Sequence, residues 1–272
     1  MAIGTDQVAL VTGASAGIGE AAARALVGAG FTVYGTSRKA AAGEERDRVV
    51  FLPLDVTDDA SVAGAVSEVL DRSGRIDVLV NNAGMGTAGA AEESSIEQAR
   101  ALFDINLFGS IRMTRAVLPH MREQGGGRVI NVSSVLGFMP APFMALYAAS
   151  KHAVEGYSES LDHEVREHGV RVLLVEPAYT RTSFDTNAVA VDEPLALYAR
   201  RREAADVLIA AAVKSGDEPS VVGKVIVAAA TDPRPKLRYP AGALARRVSK
   251  ARRYVPPALF DRQIRKTNQL AA

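Results

Sequence analysis

The chain has 272 residues, 48% hydrophobic and 23% charged, enough to bury a sizeable core in one large domain or two small ones. With 32 Lys and Arg against 31 Asp and Glu the net charge is +1, so no global field selects nucleic acid, and the lack of cysteine excludes disulfides, thiolate nucleophiles and Cys-ligated metals. The N-terminus, MAIGTDQVALVTG, has no basic n-region, and no apolar run approaches the ~18–20 residues of a membrane span; the prediction is a cytoplasmic protein without a signal peptide.

Short apolar, β-branched runs at residues 8–12, 32–36, 49–52, 78–80, 129–132 and 170–175 read as strands. They are apolar throughout rather than alternating, the mark of strands covered on both faces. Segments with helical spacing lie between them, at 17–29, 58–73, 95–122 and 146–168. Asp58 is placed to cap its helix, and Gly30 and Gly169 are placed to end theirs. Strand and helix taking turns predicts an α/β fold: a doubly wound, Rossmann-type parallel sheet of about seven strands with helices on both faces, in one domain over 1–272. After Pro177 the rhythm breaks. Residues 178–219 are mostly helical in pattern, and their part from 183 to 215 would form a lid over the cleft; a helix at 220–230 and a short last strand at 236–239 follow. From Thr231 onward, eleven Lys and Arg face two Asp, a net of +9 that leaves −8 for the remainder. This basic extension, 231–272, reads first as a solvated amphipathic helix, then as an element drawn to anionic lipid, and last as a nucleic-acid binder, because no regular stacking aromatics accompany its charges.

VALVTGASAGIGEAAARAL puts Gly13, Gly17 and Gly19 at the join of the first strand and first helix. A helix N-terminus there offers unpaired N–H groups and partial positive charge, which suits a pyrophosphate. The spacing is GxxxGxG rather than GxGxxG, and a glycine-rich turn without a ligand is the plain alternative. The second strand ends in Thr36-Ser37-Arg38-Lys39. A carboxylate there would accept from a ribose 2′-hydroxyl; Arg38 and Ser37 instead suit a 2′-phosphate, so NADP(H) is predicted over NAD(H) unless Arg38 and Lys39 are ordinary surface charges. Farther on, Tyr147 and Lys151 stand at i, i+4 on one helix. A cation one turn away lowers a phenol whose ordinary pKa of ~10 is too high for proton exchange near neutral pH.

Thr12-Gly13-Ala14-Ser15-Ala16-Gly17-Ile18-Gly19 resembles the TGxxxGxG loop of short-chain dehydrogenases/reductases. Asn82, Ala83 and Gly84 of the NNAG after the fourth strand, Asn106 in the next helix, Ser134 at the end of the fifth strand and Tyr147-x-x-x-Lys151 follow in that family's order. The resemblance covers roughly residues 7–182 and is nearest the branch that includes 17β-hydroxysteroid and retinol dehydrogenases, as is the tail around RYPAG and VPPALFDRQIRK. It implies that Lys151 also holds the nicotinamide ribose, that Ser134 donates to the substrate oxygen and that Asn106 holds a water relaying protons to Lys151. Asp55 and Val56 would flank the adenine. Pro177, Thr180 and Thr182 resemble the PGxxxT that meets the carboxamide, with Ala178 in place of its glycine. A basic residue the family often carries before the second glycine is Ala16 here, which leaves room for NAD(H).

Between Ser134 and Tyr147 the chain is apolar, with Leu136 and Phe143; Met85 follows Gly84 and Phe184 follows Thr182. These positions predict a pocket for a hydrophobic ketone or alcohol, although large apolar residues are more often core. His120, His152, His163 and His168 form no metal-like group, INVSSVLG is not a GxSxG elbow, and no metal is predicted. The reading is thus an NADP(H)-dependent alcohol dehydrogenase or carbonyl reductase. Its rivals are a 3-oxoacyl thioester reductase and a dinucleotide-binding regulatory protein without turnover. As in the family, the long helices would pack into a homodimer or homotetramer.

Overall fold

The computed structural model describes residues 7–184 and 187–270; the leader reading at residues 1–6, positions 185–186 of the lid segment and the last two residues lie outside the described residues. The strands are β1 (Val8–Val11), β2 (Thr32–Ser37), β3 (Glu44–Arg46), β4 (Val49–Pro53), β5 (Val78–Asn81), β6 (Thr87–Ala88), β7 (Gly127–Val132), β8 (Val170–Pro177), β9 (Val189–Ala190) and β10 (Arg238–Ala241). The helices are α1 (Gly17–Gly28), α2 (Asp59–Ser73), α3 (Ile96–Phe103), α4 (Gly109–Glu123), α5 (Ala145–Val165), α6 (Ala199–Lys214), α7 (Pro219–Thr231), α8 (Ala243–Tyr254) and α9 (Pro257–Thr267). The main sheet runs β10-β8-β7-β5-β1-β2-β4-β3, parallel throughout except for the β3–β4 pair.

The unbroken apolar runs follow from burial on both faces. In β1, Ala9 and Val11 point into a core shared with α1 and α7, while Val8 and Leu10 point into another shared with α2, α4 and α5. Each fully buried side chain such as Leu10 or Leu26 contributes on the order of 1.5–3 kcal/mol. Helix ends agree with the sequence signals: Asp58 accepts from Ser61 N at 2.9 Å, and Gly169 closes the end of α5 and its following turn at φ 75°. This is the Rossmann-type α/β arrangement expected, with every predicted strand present.

Four features depart from the sequence reading. First, β3 adds an eighth strand, a hairpin with β4 turned by Asp47 and Arg48, both at positive φ (53° and 63°). Second, the helix expected over 95–122 is interrupted by a π-helical segment, Asp104–Phe108, between α3 and α4. Third, the last strand lies two residues further on and contains Pro240, which an edge strand tolerates. Fourth, the basic extension forms two helices, α8 and α9, rather than one.

The segment expected to cover the cleft is fastened at its base. β9 pairs with β6, and Gln98 Nε2 donates to the Ala190 carbonyl at 2.8 Å. Glu93, fully buried, accepts from Ala90 N and Leu195 N, each at 2.9 Å, and pairs with Arg202. Beyond these ties, α6 buries none of its own residues.

Candidate active site

Every loop that carries a candidate residue leaves the carboxyl end of a parallel strand, where doubly wound sheets bind ligands. After β1, Gly13 and Gly17 sit at φ 65° and 60°, and Ile18 and Gly19 open α1, whose N-terminus no side chain caps. A Cβ on Gly19 would lie 2.2 Å from the Gly13 carbonyl oxygen and 2.5 Å from Asn82 Nδ2, so this turn admits only glycine. Asn82 Nδ2 donates to the carbonyls of Thr12 (3.0 Å) and Gly13 (3.1 Å), and buried Thr12 Oγ1 accepts from Asn82 N and Ala83 N (3.0 and 2.9 Å). The glycine loop and the Asn82–Gly84 turn are therefore one rigid ledge. Thr182 closes it from the other side, its Cγ2 reaching 3.2 Å from where a Cβ on Gly17 would stand. Ala178 is not among the residues at positive φ, so alanine serves there as well as glycine. Buried Thr180 bonds to the Ala178 carbonyl at 3.1 Å.

At the end of β2, Ser37 is half-buried and Arg38 exposed, and among the described residues no carboxylate lies within ion-pair distance of Arg38. Asp55 follows β4, its carboxyl held below the usual range by hydrogen bonds from the Thr57 backbone and hydroxyl, with Arg38 adding to the effect. Val56 is buried beside it. An uncapped helix N-terminus, a glycine turn without room for a Cβ, and an unclamped guanidinium fit the phosphates of a dinucleotide. When bound, its nicotinamide would supply or accept the hydride.

Tyr147 and Lys151 lie on α5, 8% and 6% exposed, with Lys151 Nζ 5.8 Å from the Tyr147 ring centroid. Nζ donates to the Val132 carbonyl at 2.9 Å. Burial lowers the Lys151 pKa to about 8, partly offset by the Glu155 carboxylate. Ser134 lies two residues beyond the end of β7, at the head of the Val135–Gly137 turn, and its Oγ accepts from Leu136 N at 3.1 Å. Its neighbour Ser133 is buried and donates to Glu155 Oε1 at 2.7 Å, so Ser134 is the serine left facing the cleft. Asn106 occupies the π segment, where the extra residue per turn re-aims its side chain. Its amide is already engaged: Oδ1 accepts from Met85 N (2.8 Å), and Nδ2 donates to Met85 O (2.9 Å) and Ser150 Oγ (3.1 Å). It thereby fixes the Gly84–Met85 turn against α5.

Leu136, Met144, Tyr147 and Phe184 join one apolar cluster, to which α6 lends Ile209 and α8 lends Ala245 and Val248. The rings of Tyr147 and Phe184 are 5.8 Å apart, and Phe143 meets Tyr198 edge-on at 6.3 Å, with its backbone at φ 63°. The contributions of α6 and α8 carried no sequence signal. Neither did a buried ionic group beneath Lys151: Arg238 of β10 pairs with Glu155, Glu159 and Glu176. Burial and the Glu155 charge raise the Glu176 carboxyl to about 7, against the pull of Arg238. Among the described residues no group of three or more His, Asp or Glu could hold a metal ion.

Residues 7–192 match the family model described as short chain dehydrogenase. A 3-ketodihydrosphingosine reductase of Bacteroides thetaiotaomicron is 45% identical over 181 residues, 66% of this chain and 66% of that one. The crystal structure of a short-chain dehydrogenase from Streptomyces avermitilis superposes with a TM-score of 0.81 at 38% identity, covering 94% of this chain and 96% of that chain. Two further family structures hold cofactor, one from Burkholderia phymatum with NAD (TM-score 0.74, 29% identity, 85% and 88% covered) and one from Burkholderia cenocepacia with NADP (0.74, 28%, 94% and 97%). The chain belongs to the short-chain dehydrogenase family. It is an oxidoreductase that acts on CH–OH groups with a nicotinamide cofactor.

Proposed function

We propose that this protein reduces a ketone borne on an apolar chain with NADPH, and catalyses the reverse oxidation with NADP+. The carrying observation is the buried Lys151–Tyr147 pair on one face of α5, opening onto the apolar cluster beside Ser134. In reduction, Ser134 Oγ donates a hydrogen bond to the carbonyl oxygen and stabilises charge developing there. The Tyr147 hydroxyl gives its proton to the same oxygen as the alcohol forms. The Lys151 ammonium, charged at neutral pH with a pKa of about 8, keeps the phenol acidic enough to do so and to accept the proton in oxidation. Asn106 holds the Met85 turn in place, and the phenolate left on Tyr147 takes its next proton from solvent.

Gly13, Gly17, Ile18, Gly19 and Ser15 would hold the pyrophosphate, Asp55 and Val56 the adenosine, and Asn82 to Gly84 with Pro177, Thr180 and Thr182 the nicotinamide half. Arg38 and Ser37 would meet the 2′-phosphate. The name of the Bacteroides relative supports a keto-lipid base as the substrate class, in keeping with Leu136, Met144 and Phe184 in the apolar cluster with Tyr147; Phe143 and Met85, on neighbouring turns, would extend the pocket. The segment from 183 to 215 would cover such a chain, and the exposed Ile96 and Phe108 on the α3–α4 face would lie in a homo-oligomer contact. The test is nicotinamide absorbance with each cofactor over ketones of increasing chain length. Turnover should rise with chain length and favour NADPH, and Arg38→Asp should shift the preference at least about tenfold toward NADH, since one lost charge-assisted contact is worth ~1.5–3 kcal/mol. Turnover confined to short polar ketones or to 3-oxoacyl thioesters would overturn the substrate reading.

A further inference from the structure

Part of the apolar face of α8 and of α9 is taken up within the protein, while Leu244 and Leu259 stay exposed. Ala245 is fully buried, Val248 joins the cluster around Tyr147, and Phe260 is 9% exposed with the Arg252 guanidinium 5.3 Å over its ring. Arg252 is exposed but tied back to the protein, Nε donating to the Phe138 carbonyl at 3.0 Å. At 100° per residue the opposite faces carry Arg246, Arg247, Lys250 and Arg253 on α8 and Arg262 and Lys266 on α9, all exposed. Among the described residues no carboxylate lies within ion-pair distance of these six. The corner between the helices adds Tyr254 (73% exposed), Val255 and Leu259 (56%). No helix of the described residues is long and apolar enough to cross a membrane.

We propose that this outward face docks on the surface of an anionic lipid bilayer, with Tyr254, Val255 and Leu259 entering the headgroup boundary. Its purpose rests on the apolar-ketone reading above. Cations without a carboxylate partner around a small apolar corner, Arg253 lying 5.5 Å over the Tyr254 ring, match a negatively charged lipid surface on both counts. Against RNA or DNA the apolar corner has no use, and Tyr254 is the single exposed aromatic of the two helices. A second copy of the chain in a two-fold contact would set these cations against themselves. The position is also apt. α8 packs on the turn at Val135–Gly137 and on the cluster around Tyr147, so docking holds the substrate cleft about one helix diameter, ~10 Å, from the lipid.

The full chain is sedimented with vesicles of phosphatidylcholine alone, or mixed with phosphatidylglycerol, at low salt and at about 1 M salt, where the Debye length falls to ~3 Å. Sedimentation with the mixed vesicles at low salt only is the expected result. Each surface cation contributes about fivefold to partitioning, so the triple variant Arg246→Glu, Arg247→Glu, Lys250→Glu should lose on the order of a hundredfold or more. Tyr254→Ser with Leu259→Ser should weaken binding while leaving its salt dependence. Equal sedimentation with both vesicle types, or retention by the triple variant, overturns the proposal. So does binding of an RNA oligonucleotide or self-association that the triple variant abolishes, without vesicle binding. Because vesicle binding needs no substrate, it can hold while no ketone is reduced, in which case the substrate reading fails alone; reduction of a long-chain ketone without vesicle binding refutes the docking alone.

Discussion

Replacing Lys151 by methionine should abolish turnover and yet make the protein more stable at neutral pH. Lys151 is buried and charged at pH 7, at the cost of depressing its pKa from 10.5 to about 8. At ~1.4 kcal/mol per pKa unit that is about 3 kcal/mol of destabilisation, net of the help from Glu155. Methionine fills similar volume without charge and forfeits the Nζ bond to Val132, worth about 1 kcal/mol. The net gain is about 2 kcal/mol, or roughly 5 °C in Tm for a chain of this size. The sign follows from proton counts. Between the folded pKa of about 8 and the unfolded 10.5, the unfolded chain binds more protons, so the wild type gains stability as pH rises through this window and bears the full cost below it. Urea unfolding of both proteins at pH 7 and about 9.5 should therefore show the variant's advantage shrinking at the higher pH. A variant no more stable at pH 7, or an advantage independent of pH, would refute the claim that this ammonium is held buried and charged.

Glu176 is the mirror case: its folded carboxyl is raised to about 7, so the wild type loses stability as pH rises from 4.5 through 7, and Glu176→Gln should be more stable by up to about 3 kcal/mol at pH 8 but not at pH 4.5, read by the same urea titration. Gly19→Ala places a methyl 2.2 Å from the Gly13 oxygen and must displace the nucleotide ledge; NADPH affinity by calorimetry should fall at least about tenfold with the circular dichroism spectrum retained, and unaltered affinity would dissociate the ledge from the cofactor.

The parallel sheet and the order of the site loops were legible because they rest on local signals: continuous apolar runs, glycines at strand ends, and a phenol and amine one helical turn apart. What escaped has its origin in groups distant in sequence or in backbone states that side chains do not announce. The β3 hairpin turns on Asp47 and Arg48, and an arginine at positive φ carries no turn signature. A π segment keeps helical side-chain character, so nothing in residues 104–108 marked the break that aims Asn106. Ser133 and Ser134 could be separated from sequence only by spacing; the physical reason, that Ser133 is spent on Glu155, lies 22 residues away. Arg238 reaches Glu155 across 83 residues, which no local pattern records. The apolar residues of 134–147 read equally as core or pocket, and the structure joins several to Tyr147 through α6 and α8 side chains that the sequence left in other segments.

In the mechanism proposed above, the Tyr147 hydroxyl delivers and collects the proton. This role is tested most directly by following nicotinamide absorbance for Tyr147→Phe with a long-chain ketone and NADPH, alongside NADPH affinity by calorimetry. The expected result is a fall in kcat of about a hundredfold to ten-thousandfold with cofactor affinity little changed, since phenylalanine keeps the ring against Phe184 and removes only the acid. A variant that turned over within tenfold of the wild type would contradict it.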